Sequence, residues 1–387
     1  MHMKKNVLTP LPSASPPQSA CGRSLPGAAP DAAKQGIFSG RQGKNHVQGI
    51  AVDEANGFVY YSFTTRLVKT DLQGKLIGSV EGLVGHLGCI ALNPENGLVY
   101  GSLEFKKDKI GAGILKSLGR EEKYEDGFYI AVFSPEKIVR EHMSAEADGV
   151  MRAVFLPEVL ADHTGEGVNL KGETVSHRYG CSGVDGLCFA PRPGETDGQK
   201  YCWLAYGVYS DLSRGDNDHQ VLLCFDAADI AACARPLSQT EMHRHAPALP
   251  PEKYFVLTGN TEYGVQNLEY DEARRMLLMA VYAGHKPEFP NYDIYAADLS
   301  KPAVQTELTG LHETGAALTL WNASAPERAD EIAGWRFSCG QYGMQFISGG
   351  ALCCAQPVTV DGENAAYVYA YSFDPRKGFE RLFLETR

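Results

Sequence analysis

The stretch Gly183-Val184-Asp185-Gly186-Leu187-Cys188-Phe189 decides the fold, because four other stretches share its form. They are His46-Val47-Gln48-Gly49-Ile50-Ala51-Val52, His86-Leu87-Gly88-Cys89-Ile90-Ala91-Leu92, Gly264-Val265-Gln266-Asn267-Leu268-Glu269-Tyr270 and Gly343-Met344-Gln345-Phe346-Ile347-Ser348-Gly349. Each opens on a small or His residue, then an aliphatic one, then Gln, Asp or Gly, with an aliphatic residue two positions later. Alternation by two marks a strand with unlike faces. Five copies of one strand-opening phrase predict a repeat architecture.

The surrounding sequence extends each phrase into a unit. Val47–Val52 runs into Asp53-Glu54-Ala55-Asn56-Gly57, whose Asn-Gly is a hairpin signal. Phe58–Phe63, Leu67–Asp71 and Lys75–Val80 complete four antiparallel strands. The second unit keeps the register, with Asn93-Pro94-Glu95-Asn96-Gly97 in the place of the first loop. A second column closes the third strand of each unit on a turn residue: Thr70-Asp71, Phe133-Ser134, Phe225-Asp226, Ala297-Asp298 and Phe373-Asp374. Asp and Ser there would bond nearby backbone N–H groups. Insertions fall at 104–128 and 207–219, and long connections at 141–182, 231–262 and 305–340.

Four-stranded antiparallel sheets recurring around a ring are propeller blades. The hairpins and the aromatic-Asp turns resemble the broad class of β-propeller repeat proteins (YncE-like, NHL and senescence-marker-30 types) across about residues 40–387. The expected fold is all-β, a five-bladed propeller of four-stranded blades with long rim insertions. A degenerate sixth blade around Val150–Val175 is the alternative. Residues 1–36, rich in Pro, Ala and Ser, read as a flexible extension, and 37–387 as one propeller domain. The fifth unit supplies its own last strand, Phe379–Leu384, while Ile37-Phe38-Ser39 is a candidate to add to a sheet edge.

Composition narrows the function. The 387 residues are 44% hydrophobic and 21% charged, an ordinary globular balance. No apolar run is long enough for a membrane-spanning helix. A net charge of -11 disfavours nucleic acid as a partner. Lys106-Lys107-Asp108-Lys109 reads as a short solvated charge run. The Lys4-Lys5 and Ser19-Ala20-Cys21 elements lack an apolar core between them, so a signal peptide is not expected. Ten cysteines without a C-x-x-C, several inside predicted strands, favour a reducing, cytoplasmic setting.

Candidate chemistry clusters in two places. First strands line the axis of a propeller, so Gln48, Gly88, Asp185, Gln266 and Gln345 form an axial column. Gln48, Asp185, Gln266 and Gln345 would be an amide plug or the ligands of a divalent cation, Ca²⁺ or, with imidazole added, Mn²⁺. The second place is the rim that carries the insertions. His46 and His86 occupy equivalent positions in adjacent units. Glu104, Arg66, Tyr206, Tyr209, Asp211, Arg214, Tyr282, His285 and Lys286 lie on second-to-third-strand loops. Tyr179, Glu262, Tyr263, Gln341 and Tyr342 lie on fourth-to-first connections. Aromatic rings beside acids and imidazoles suit a small saccharide.

Five-bladed propellers include furanosidase-type glycoside hydrolases, apyrases and tachylectin-like lectins. The glycosidases among them imply an Asp on the first inner strand, where this chain has Gln48. The expectation is therefore a carbohydrate-active enzyme, a glycoside hydrolase or a lyase. Glu104 or Asp211 would be its acid/base, and His46, His86 or His285 its base or metal ligand. Arg66 and the tyrosines 206, 209, 263, 282 and 342 would bind substrate. The alternatives are a non-catalytic binding propeller and a metal-dependent lactonase or strictosidine-synthase-like hydrolase. No Walker loop, H-E-x-x-H or G-x-S-x-G is present.

Overall fold

The computed structural model describes residues 36–121, 125–322 and 332–382. Its first strand, β1 (Ile37–Phe38), is set aside by the chain and used last. Blade 1 follows as β2 (Val47–Asp53), β3 (Phe58–Phe63), β4 (Arg66–Asp71) and β5 (Leu76–Glu81). Blade 2 is β6 (His86–Leu92), β7 (Val99–Phe105), β8 (Gly127–Phe133) and β10 (Met151–Phe155). Helix α1 (Lys109–Ser117) sits between β7 and β8. The short β9 (Met143–Ser144) leaves blade 2 to pair parallel with β5. After helix α2 (Pro157–Thr164) and the hairpin β11 (Glu166–Val168) and β12 (Thr174–Ser176), blade 3 is built from β13 (Cys181–Ala190), β14 (Tyr201–Val208), β15 (His219–Phe225) and β16 (Glu252–Leu257). Blade 4 contains β17 (Glu262–Asp271), β18 (Met276–Tyr282) and β19 (Ile294–Asp298). Strands β20 (Val304–Glu307) and β21 (Thr314–Ala317) return to the edge of blade 3. Blade 5 is β22 (Met344–Phe346), β23 (Leu352–Val360), β24 (Glu363–Asp374) and β25 (Gly378–Arg381).

The ring is five-bladed. Five hydrophobic clusters mark the five blade-to-blade interfaces, and strand periodicity explains how each sheet serves two of them. On β18, Leu277 and Met279 enter the cluster shared with blade 3, while Met276, Leu278 and Ala280 enter the one shared with blade 5. Both faces of the blade are thus buried, and the strand reads as an unbroken apolar run instead of an alternating one. Val47, Ile50 and Tyr61 pack on Cys353, Ala355 and Val368, so blade 5 closes against blade 1. The sixth blade considered around Val150–Val175 does not form. Met151–Phe155 is the fourth strand of blade 2, paired with β8 from Met151↔Phe133 to Phe155↔Tyr129. The sequence beyond it is α2 and the β11–β12 hairpin.

The turn column does what its residue types dictate. Asp71 Oδ1 accepts from the N–H groups of Gln73 (2.9 Å) and Lys75 (2.8 Å), and Asp374 Oδ1 from that of Arg376 (2.8 Å). Blade 4 departs from the four-strand expectation. Its outer place is taken by irregular chain that bonds β19 through Trp321 N to Ala296 O (2.8 Å) and Trp335 N to Ile294 O (2.9 Å). Blade 5 has a composite last strand. Strand β25 pairs with Tyr371–Asp374 of β24, and β1 pairs with the same strand at Ile37↔Val368 and Phe38↔Tyr367. The first and last of the described strands therefore meet on one strand. Residues 1–35, where the flexible extension was expected, lie outside the described residues.

The strand-opening phrase proves to be a β-bulge. Register shifts interrupt β2 between Val47 and Gly49, β6 between Leu87 and Ile90, β13 between Val184 and Leu187, and β17 between Val265 and Asn267. Gln48, Gly88, Asp185 and Gln266 sit at those shifts, where a bulge re-aims a side chain. Just beyond it the inner strands press on one another. A Cβ on Gly49 would stand 2.7 Å from the backbone N of Ile90. Asn267 Nδ2 donates to the carbonyls of Gln48 (3.0 Å) and Gln341 (2.9 Å), tying blade 4 to blades 1 and 5. The ring therefore has a packed waist and two separate mouths.

Candidate functional site

The mouth at the start of the inner strands is flanked by the insertions, and an alternating run at the end of β7 furnishes it. Glu104, Lys106 and Asp108 are spaced by two and so share a side. Lys106 Nζ lies 2.6 Å from Glu104 Oε1 and 3.7 Å from Asp108 Oδ2. The other oxygen of Glu104 accepts from Val184 N–H at 3.1 Å, which fixes blade 2 to the bulge of blade 3. From that bulge Asp185 Oδ2 accepts from Gln266 Nε2 (3.2 Å), and the same amide donates to the carbonyl of Tyr263 (3.1 Å). His86 Nδ1 stands 3.7 Å from Glu104 and 3.9 Å from Asp185, and among the described residues it has no hydrogen-bond partner. Gly88 makes room for this: a Cβ there would lie 2.5 Å from Asp185 Oδ1.

Burial sets the protonation states. It pushes Asp185 well above the usual carboxylate range, and the negative charge of Glu104 adds to the push. Glu104 is also raised by burial, against the pull of Lys106. Burial would lower the Lys106 ammonium, but Glu104 and Asp108 outweigh it and hold the charge in place. Asp108 is kept below its ordinary value because Lys106 and the α1 N–H groups overcome its burial. His86 is driven down to about 3 by burial and by Lys106, so its imidazole is neutral at physiological pH.

Aromatic rings border the acids. Tyr263, Tyr282 and Tyr342 form an edge-to-face chain with centroids 6.0 and 6.1 Å apart. Tyr263 holds a left-handed backbone, φ 66°. That conformation costs a non-glycine residue about 1–3 kcal/mol and clusters at functional sites. On the blade 3 side, Tyr209 donates to Asp108 Oδ2 (3.1 Å), and its ring lies 4.8 Å from that of His177. His177 in turn contacts the carbonyl of His163 through Nδ1 (2.5 Å).

The remaining sequence candidates go elsewhere. His46 is exposed, with Nδ1 3.5 Å from Asn364 Nδ2 at the blade 5 hairpin, so it does not face the surroundings of His86. Tyr206 leaves the rim altogether. It is buried in the core between blades 2 and 3, with its hydroxyl donating to Asp162 at 2.7 Å. Asp211 shapes its own loop by accepting from Ser213 N–H (2.9 Å) and Ser213 Oγ (2.7 Å), and Ser213 holds its carboxyl below the ordinary value. An acid so lowered is a poor proton donor near neutrality. Arg66 turns to Gln42 (3.4 Å) and Glu81 (3.7 Å) on blade 1. His285 is 60% exposed, 3.8 Å from Glu262. Arg214 and Lys286 are buried loop organisers, paired with Asp216 (2.8 Å) and with Asp218.

The axial column does not assemble as a ligand set. Gln48 makes a 3.5 Å contact with Thr64, and Gln266 turns its amide N–H toward Asp185. Strand β22 has no bulge, so Gln345 falls out of the column. It clamps blade 1 instead, accepting from Val52 N–H (2.6 Å) and donating to Val52 O (2.9 Å). Among the described residues no group of three or more acids, His or Cys converges as metal ligands would. The Lys106 ammonium is a fixed positive charge near enough to Asp185 to pull its carboxyl down against burial and Glu104. Lys106 had read as part of a solvated run, but it is only 5% exposed. The alternation Glu104-x-Lys106-x-Asp108 at a strand end was the signal that could have found it.

No protein-family model matches the chain, and no curated protein does. Among solved structures it is similar to a GH43 β-1,3-galactosidase in complex with galactodeoxynojirimycin, at 12% identity and TM-score 0.40, over 91% of this chain and 99% of that one. It is also similar to regucalcin, a calcium-binding protein from Agrobacterium tumefaciens (14% identity, TM-score 0.33, 90% and 98% coverage). A third is the PQQ domain of pyranose dehydrogenase from Coprinopsis cinerea (12% identity, TM-score 0.35, 83% and 80% coverage). No helix among the described residues is long and apolar enough to cross a membrane.

Proposed function

We propose that the insert-flanked mouth cleaves a glycosidic bond in a small saccharide, with Asp185 as the proton donor. The observation that carries this reading is one buried carboxyl, raised well above its usual range, within 3.9 Å of an imidazole nitrogen that has no hydrogen-bond partner among the described residues, beside a chain of three tyrosines. A leaving alkoxide needs a proton at the moment its C–O bond breaks, and a carboxyl raised toward neutrality is the side chain suited to give it. Glu104 is committed to Lys106 and to Val184 N–H, so it sets the charge around Asp185 and does not reach substrate itself. Tyr263, Tyr282 and Tyr342 offer apolar faces for the C–H surfaces of a sugar ring, and Gln266 a hydrogen-bonding group for its hydroxyls.

A specific observation favours a second reading, binding without turnover. His86, brought down to about 3, is a weak proton acceptor, so the mouth lacks an evident base at neutral pH. A panel of oligosaccharides, followed both for new reducing ends and for unsaturated products, separates the two. Cleavage that is lost in Asp185→Asn and kept in Asp211→Asn supports catalysis at the mouth. Saturable saccharide binding with no product from any member supports the second reading, and neither binding nor cleavage defeats both.

A further inference from the structure

The packed waist leaves a second mouth at the far ends of the inner strands, unrelated to the acids above it. A cavity of about 560 Å³ opens there, walled by Ile50, Ile90, Leu92, Phe189 and Phe346. That volume lies within the range of small-molecule pockets. Asp271 and Glu272 are among its lining residues, and so is Glu269 of β17. Glu269 Oε1 accepts from Phe346 N–H at 2.9 Å. Among the described residues it has no ion-pair partner. The other charges at the cavity edge are already paired: Lys200 with Glu272 at 3.3 Å, and Asp271 with Arg274 at 2.6 Å. Gln345 is held by both polar groups of Val52.

We propose that this second mouth binds a small organic monocation, an ammonium group on an apolar body, with Glu269 as its counter-ion. The lining offers an unpaired acid and two phenyl rings, a combination that attracts a cation electrostatically and buries its hydrocarbon. An organic anion would meet the carboxyls of Glu269, Asp271 and Glu272 together.

Binding carries a proton signature. Burial pushes Glu269 up to about 8, with Lys200 working the other way and Asp271 adding to the rise. The carboxyl of Glu272 lines the same cavity, and the buried thiols of Cys89, Cys188, Cys353 and Cys354 lie near enough to be raised by the charge of Glu269. An arriving ammonium ionises Glu269, so complex formation near neutral pH releases nearly one proton.

Calorimetry on the full chain near pH 7, in buffers of differing ionisation heat, tests this with three probes of one shape: 2-phenylethylammonium, 2-phenylethanol and phenylacetate. The ammonium is expected to bind at least tenfold more tightly than the alcohol, with proton release, and phenylacetate not to bind. In Glu269→Gln, checked for cooperative unfolding, the two binding probes should converge to within twofold and the proton release should vanish. Ser348→Trp, at the exposed edge of the mouth, should weaken both and leaves Glu269 in place for the case where the first variant does not fold. Equal affinity of ammonium and alcohol, no binding of the ammonium at millimolar concentration, or a cation preference that survives Glu269→Gln would overturn the proposal.

Discussion

Lys106→Met removes the ammonium from a cluster that also holds Glu104, Asp108 and Asp185. Met keeps most of the apolar stem, so the change isolates the charge. Lys106 and Glu104 are each only 4% exposed and lie 2.6 Å apart, so Glu104 is left charged, buried and unpaired. Breaking such a pair from one side costs about 3–5 kcal/mol. The penalty should depend on pH, and its sign follows from the acid left behind. With Lys106 gone, the folded-state pKa of Glu104 rises further above the unfolded one. The folded form then holds its proton more tightly, and the destabilisation grows as pH rises from the unfolded pKa toward the folded one. Urea denaturation at about pH 7.5 should show the larger loss. At about pH 5 the loss should shrink, by up to about 1.4 kcal/mol for each pH unit below the new folded pKa. The double variant Glu104→Gln/Lys106→Met should recover to within about 1 kcal/mol of the parent, because a neutral amide can still accept from Val184 N–H. A loss below about 1 kcal/mol, or an equal loss at both pH values, would refute the assignment of Lys106 as the resident cation of the mouth.

Three further outcomes follow from the same geometry. Gly88→Ala places a methyl 2.5 Å from Asp185 Oδ1 and 2.6 Å from Ser102 Oγ, so it should displace Asp185, cost about 1–3 kcal/mol in urea melts and weaken any saccharide binding. Deleting the chain through Phe38 removes β1 and the Phe38–Tyr367 ring contact at 4.9 Å, and should lower the melting temperature while the blades stay folded by far-ultraviolet circular dichroism. An unchanged melting temperature would show that β25 alone closes the ring. Glu269→Gln should gain stability over the parent as pH rises. Its carboxyl binds a proton more tightly folded than unfolded, so the parent loses ground between the usual value of 4.5 and about 8, and the difference levels off above that.

The ring was legible because its repeat is written in residues with local jobs. Asp71, Asp226, Asp298 and Asp374 close turns by bonding backbone a few residues away, so their spacing survives any change in the loops. The bulge positions Gln48, Gly88, Asp185 and Gln266 were visible as a column for the same reason. Gln345 shared the spelling but not the bulge, and only strand pairing reveals that. Tyr206 looked like a rim residue, yet strand β14 runs on to Val208, which keeps Tyr206 within the buried sheet. The acids of the mouth were found singly, Glu104 on a loop and Asp185 on the axis. Their meeting depends on the distance between blades, which no local pattern encodes. Lys106 was missed because a charged run at a strand end looks solvated until a neighbouring blade covers it. Outer-edge pairing was the least legible, since β9, β20, β21 and β1 each join a sheet remote in sequence.

The composite last strand of blade 5 has a consequence in time. The partners of Ile37 and Phe38 are Val368 and Tyr367, so nearly the whole domain must be synthesised before they can meet. At about 5–20 residues per second this is a wait of roughly 15–70 seconds, during which blades 1 to 4 can form one after another. Until it ends, the interface that joins Val47, Ile50 and Tyr61 to blade 5 stands open as apolar surface. The ring cannot close before blade 5 has been made, so that apolar surface stays open for at least as long as the domain takes to translate.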